Sequence, residues 1–118
     1  MAGPRWLVVL GADAERDFAA VLRWTTERFG EHQARTYKET LLAAVRSLED
    51  GPNAAGARAR DDIRHGLMCL HVARQGRRGR HFIMFRVIDA AGSRVIQVVR
   101  VLHDAMDIAR HVPGEDEK

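Results

Sequence analysis

The chain is short of several things that would place it in a specialised class. Its single cysteine, Cys69, has no internal partner, so a disulfide-stapled scaffold is excluded, and the residue reads as a small buried hydrophobe. Only three prolines occur, too few for a collagen-like or low-complexity chain. No apolar run exceeds six residues, far below the ~20 that cross a bilayer, and no charged segment followed by an apolar stretch and a small-residue cleavage site opens the chain. A cytoplasmic protein without a membrane partner is expected. Neither Gly-x-x-x-x-Gly-Lys nor Gly-x-Gly-x-x-Gly is present, so no nucleotide cofactor is expected. His65, His71, His81, His103 and His111 are scattered without a metal-ligand spacing, so no metal is expected either.

What the chain does have is 46% hydrophobic residues in 118, enough for one core. A single domain over 1–118 is expected, with 111–118 as a flexible acidic tail. The net charge of +3 is too mild to identify a nucleic-acid binder, so direct nucleic-acid binding is open but not favoured. Its distribution is uneven: residues 1–62 carry net −1, residues 63–110 carry +6, and residues 111–118 carry −2. Seventeen of the 19 basic residues are arginine, whose planar fork suits carboxylates and phosphates. The second half therefore suits an acidic partner.

The apolar run Arg5 to Leu10, stopped by Gly11, reads as a strand. Asp13 stands where a helix cap belongs, and Phe18, Val21, Leu22, Thr25 and Phe29 follow at helical spacing up to Gly30. A second helix carries Ala34, Tyr37, Leu41, Ala44, Val45 and Leu48 on one stripe until Gly51-Pro52. Joined through one glycine, the two must form an antiparallel hairpin that covers something apolar. Pro52 to Asp62 lacks a period and reads as a loop, the most mobile stretch of the chain's interior. Strands are expected at Leu67–Ala73, His81–Ile88 and Arg94–Val101, joined by short glycine-bearing turns into an antiparallel meander. Strict alternation sets Met68, Leu70 and Val72 against Cys69, His71 and Ala73, and Val95, Gln97, Val99 and Val101 against Ile96, Val98 and Arg100. Asp104 reads as the cap of a short helix from Ala105 to about His111. The expected fold is α+β: an N-terminal strand, a helical hairpin packed on a small, mostly antiparallel sheet, and a short C-terminal helix.

This order, with the words Trp24-x-x-x-x-Phe29-Gly30, Gly79-Arg80-His81-Phe82-Ile83-Met84-Phe85-Arg86-Val87 and Val98-Val99-Arg100-Val101-Leu102-His103-Asp104-Ala105-Met106-Asp107-x-x-x-His111, resembles the RelE/ParE superfamily of bacterial toxins, the ParE branch most. The resemblance covers the chain from the first strand to His111. It implies a type II toxin held in a hetero-oligomer by a cognate antitoxin whose C-terminal arm wraps over it. ParE-type members poison DNA gyrase, and RelE-type members cut messenger RNA on the ribosome. Cutting RNA needs groups that activate the 2′-hydroxyl, stabilise the phosphate and protonate the leaving oxygen. The RelE-type arginines fall near Phe82 and Val101 of this chain and the tyrosine near Asp107, while Tyr37 lies in the second helix. The resemblance thus implies a binder with no catalytic residues. The alternatives are an RNase using Arg80, His81, Arg86 and His103, and a non-toxic binding module of the same fold.

On that reading Arg100, His103, Met106, Asp107 and Arg110 are the candidate target contacts. Trp24, Met68, Leu70 and the turn residues Arg74, Arg77, Arg78 and Arg80 are the candidate antitoxin contacts. The arginine cluster is either a solvated hairpin tip or a surface for phosphate or acidic side chains. Met68, Met84 and Met106 are core fillers first, and flexible thioethers also suit a groove for a partner helix. Arg86, inside an apolar strand, is expected either at an exposed edge or paired with Asp61 or Asp62. His103-Asp104 is a turn-holding pair or an oriented general base.

Overall fold

A computed structural model of the chain describes residues 5–88, 92–106 and 110. Strand β1 (Leu7–Leu10) leads into helix α1 (Ala12–Phe29) and helix α2 (Glu31–Ser47), which tightens into a 3₁₀ turn at Leu48–Asp50. A two-residue strand β2 (Arg58–Ala59) precedes β3 (Leu67–His71), β4 (His81–Ile88) and β5 (Val95–His103). The sheet order is β1-β5-β4-β3-β2, with β1 parallel to β5 and every other pair antiparallel. The architecture is α+β, two helices on one face of a five-stranded mixed sheet.

The helical hairpin turns at Gly30, whose φ of +93° is a left-handed backbone that side-chain-bearing residues avoid, and its N–H closes α1 on Thr26. Ala14 and Thr25 of α1 and Thr40, Leu41, Ala44 and Val45 of α2 are buried under the hairpin. They meet Leu70, Val72, Ile83, Phe85, Ile96, Val98 and Val101 from the sheet. Burying each large side chain of this set contributes on the order of 1.5–3 kcal/mol against exposure. The two buried threonines satisfy their hydroxyls on the carbonyls four residues back, Val21 and Thr36. The sheet's other face holds a smaller cluster, Leu67, Cys69, Met84 and Leu102, flanked by Ile63, Phe82 and Val99.

Several expectations change. The α1 cap is Gly11, and Asp13 lies inside the first turn as favourable charge near the helix N-terminus. The segment expected to be a loop contributes β2, because Arg58 and Ala59 pair with Cys69 and Met68. Strand β5 extends to His103 and bulges: Met84 pairs with Arg100, but the next residue, Phe85, pairs with Val98, leaving Val99 over. Alternation therefore inverts past the bulge. Val101 joins Ile96 and Val98 on the helix side, not Val95 and Gln97 as strict period two requires. The expected C-terminal helix is described only at its start: Asp104 and Ala105 form a turn and Met106 a bend. Its remainder, with Asp107, His111 and the tail, lies outside the described residues, apart from Arg110, which is exposed.

Candidate functional site

The helical hairpin's turn end overhangs the start of β4 and the end of β5, and a pocket of about 210 Å³ opens between them. Its walls are Trp24, Thr25 and Phe29 from α1, Gln33 and Tyr37 from α2, Gly79, Arg80 and His81 entering β4, and His103 closing β5. Glycine at position 79 is a steric requirement here. A Cβ there would sit 2.4 Å from Val72 Cγ2 and 2.9 Å from the Tyr37 hydroxyl oxygen.

The hydrogen bonds at the back of the pocket fix its protons. The Arg80 backbone N–H donates to the Tyr37 hydroxyl at 3.1 Å, and that hydroxyl lies 2.7 Å from His81 Nδ1. Burial raises the Tyr37 pKa, so the phenol keeps its proton. Burial first, and then the neighbouring His103, lowers His81 from 6.5 to about 4, so its imidazole is neutral near neutral pH. Tyr37 therefore donates to Nδ1, and the His81 proton sits on Nε2. His103 Nδ1 accepts the Ala105 N–H at 3.0 Å, which also sends its neutral-form proton to Nε2. With Nδ1 so engaged, its 3.7 Å approach to Asp104 is no charged hydrogen bond. The two rings meet edge to face with centroids 5.2 Å apart.

The Asp104 carboxylate is engaged across the fold. It accepts from His71 Nε2 at 2.8 Å and from Arg80 Nε at 3.1 Å, and these partners, His71 first, hold it below the usual carboxylate range. The Met106 N–H, one of the two that a cap at Asp104 would take, goes to the His103 carbonyl at 3.1 Å, and Asp107, which carries the other, lies outside the described residues. His71 Nδ1 in turn accepts the Ala73 N–H at 3.0 Å.

These titrations set an acid limit on stability. A depressed imidazole pKa contributes stability that is complete above about 6.5 and is lost as pH falls toward about 4; the depressed carboxylate of Asp104 loses its contribution lower still. We expect the thermal midpoint to fall steadily from pH 7 to pH 4. In His81→Phe the upper part of that slope should flatten. An NMR titration of His81 with a midpoint near 6.5 would contradict this account.

The other singled-out residues are dispersed. Trp24 is about half exposed and packs edge to face on Phe29, with Arg28 over its ring at 5.4 Å. Leu70 is buried in the helix-side core and has no surface to offer, and Met68 packs partly against the same core. Arg74 reaches Ser47 and Arg77 reaches Thr40, so the turn lies along α2 as more than a free tip, while Arg78 is exposed. Arg86 sits in a central strand, exposed on the open face, and bonds Gln97 at 2.9 Å. It is at no edge and pairs with neither candidate acid. Asp62 is held by Arg60, and Asp61 caps the Gly66 N–H. Arg100 donates from Nε to Asp17 at 2.6 Å across to α1, and Met106 is exposed. Among the described residues no three His, Cys, Asp or Glu side chains converge as a metal site.

Sequence reading missed that Tyr37, His81 and His103 meet. The signal was partly there, since counting outward from the β4–β5 turn pairs His81 with residue 102 or 103. Continuing the Ile88–Val95 register unbroken would have put Leu102 opposite His81; the bulge moves His103 there.

The sequence pattern describing the ParE toxin of the type II toxin-antitoxin system parDE matches residues 8–108. The chain belongs to the ParE toxin family. Its relatives include Toxin ParE1 of Mycobacterium tuberculosis, strains CDC 1551 / Oshkosh and ATCC 25618 / H37Rv. Each is 32% identical over 104 residues, covering 88% of this chain and 95% of the relative. A solved chain of the chromosomal ParDE toxin-antitoxin system from P. aeruginosa has the same fold. Its TM-score is 0.67 at 18% identity, over 86% of this chain and 98% of that one. This ParE-family chain is therefore a type II toxin-antitoxin toxin, and no helix among its described residues is long and apolar enough to cross a membrane.

Proposed function

We propose that this toxin acts in the cytoplasm as a single domain that binds DNA gyrase, holds it in an unproductive state and makes or breaks no covalent bond itself. A cognate antitoxin neutralises it. The supporting observation is what occupies the positions where the RNase branch of the superfamily carries its catalytic arginines. Val101 is 3% exposed inside the helix-side core, and Phe82 packs against the open-face cluster. Neither offers charge to a scissile phosphate. Arg100, His103, Met106, Asp107 and Arg110 are the proposed target contacts. The partner reading draws on the solved relative, which is itself part of a ParDE system.

A supercoiling and cleavage assay with the purified chain and gyrase tests this. Loss of supercoiling with accumulation of cleaved DNA is expected; full gyrase activity at large molar excess of toxin would remove the target. The edge-to-face pair of His81 and His103 favours a second reading, acid-base cleavage of RNA on ribosomes. Cut messages that disappear with His103→Ala would establish it in place of the first.

A further inference from the structure

We propose that the pocket between the hairpin end and the β4–β5 ends binds a nucleoside monophosphate, its phosphate on His81, His103 and Arg80 and its base against Trp24 and Phe29. The polar end of the pocket is a set of donors. Tyr37 and the Ala105 N–H occupy the two Nδ1 atoms from behind, which leaves each imidazole one Nε2–H. Among the described residues neither Nε2 has a hydrogen-bond partner and no polar side-chain atom is both buried and unpartnered, so both are open to solvent. Arg80 uses Nε on Asp104, while its side chain is 69% exposed and its terminal nitrogens have no hydrogen-bond partner among the described residues. Among the described residues no carboxylate lines the pocket, and the nearest, Asp104, sits behind Arg80 and His103 with its oxygens taken by His71 and Arg80.

Three donor groups on residues that line one pocket match the three terminal oxygens of a phosphate monoester better than the two oxygens of a carboxylate. The wall opposite is aromatic. Trp24 and Phe29 are 52% and 59% exposed, a combination that solvent disfavours and a heterocyclic base would cover by stacking. Arg28 already lies over the Trp24 ring and supplies a second cation near it. At about 210 Å³ the cavity is smaller than the ~300 Å³ where drug-sized sites begin, which suits one small ligand and not the running groove that a peptide arm needs. This is a site distinct from the open sheet face that carries Phe82 and Arg86.

The experiment is a titration of the full chain with adenosine 5′-monophosphate, followed by histidine ring NMR shifts and tryptophan fluorescence. Saturable binding should shift His81 and His103 together. Adenosine and inorganic phosphate, each carrying half the recognition, should bind about tenfold more weakly or worse. Arg80→Gln and His103→Gln should each cost about tenfold in affinity for the monophosphate. Trp24→Ala, at a half-exposed position outside the buried core, should weaken the monophosphate and leave inorganic phosphate unchanged. A short single-stranded oligonucleotide with a terminal phosphate distinguishes the source. Tighter binding than the monophosphate identifies a strand end and equal binding a free nucleotide, and both support the site. No saturation by about 10 mM monophosphate would overturn the proposal, as would shifts confined to the Arg74–Arg78 turn, or an acidic peptide moving His81 and His103 where the monophosphate does not. Gyrase is absent throughout, so failure here is distinguishable from failure of the target reading.

Discussion

Asp17→Ala is expected to lower the unfolding free energy by about 3 kcal/mol, which for a chain of this size moves the thermal midpoint by roughly 10 °C. One carboxylate joins two layers. Its Oδ2 accepts from Arg100 Nε at 2.6 Å and from the Val101 N–H at 2.9 Å, and Oδ1 accepts from Arg100 Nη2 at 3.1 Å. The two side chains are only 21% and 16% exposed, so truncation leaves a half-buried guanidinium and a strand N–H with lost partners. A fully buried pair would cost about 3–5 kcal/mol; residual solvent access places this one at the lower end. Asp17→Asn keeps an acceptor for Val101 and should cost about half as much. Asp62→Ala is the control: its pair with Arg60 is 65% exposed on the acid side, and its loss should leave the thermal midpoint nearly unchanged. Equal midpoints for Asp17→Ala and Asp62→Ala would refute the argument. Because Asp17 grips the residues just beyond the β5 bulge, faster amide exchange at Val101 and a displaced His103 ring signal should accompany the loss.

The second large effect is at Gly79. Alanine there would bring a methyl within 2.4 Å of Val72 Cγ2 and 3.0 Å of Tyr37 Cε1. Val72 is fully buried and stiff at χ1, so it cannot recoil, and Tyr37 has to swing away. That movement breaks the Arg80 and His81 hydrogen bonds. Overpacking at about 1–3 kcal/mol plus two bonds of about 1 kcal/mol each gives a cost of about 3–5 kcal/mol. If Tyr37's withdrawal lets water reach His81, its pKa should rise from about 4, because burial is the main cause of its depression. Gly76→Ala separates sterics from backbone freedom: its φ is +81° with open space around the missing Cβ, so only about 1 kcal/mol of conformational cost is expected. Similar costs at both glycines would mean that close packing at Gly79 has been overstated.

The elements were legible because each leaves a local mark. Gly30 and Gly51 punctuate the helices, and the stripe Tyr37, Leu41, Ala44, Val45 predicts the face that α2 buries. The β4 strand lies where its apolar run predicts, at His81–Ile88. Family membership was legible for the same reason, since the words that carry it run along the chain. The two-residue β2 was not, because Arg58 and Ala59 are both exposed and only the partner strand makes them a strand. Arg86 was misplaced because an isolated arginine in an apolar strand reads as an edge, whereas here one whole face of a central strand is open at that point.

The helical hairpin, the meander and the acidic-to-basic division of charge were determined by the order of residues, through interactions that reach only a few positions along the chain. The pocket was decided in three dimensions. One surplus residue in β5 reverses which side chains face the helices, so Val101 enters the core and His103 comes to stand opposite His81. A period-two pattern contains no record of such an insertion. Its position depends on long-range fits, among them the grip of Asp17 in α1 on a strand more than eighty residues away.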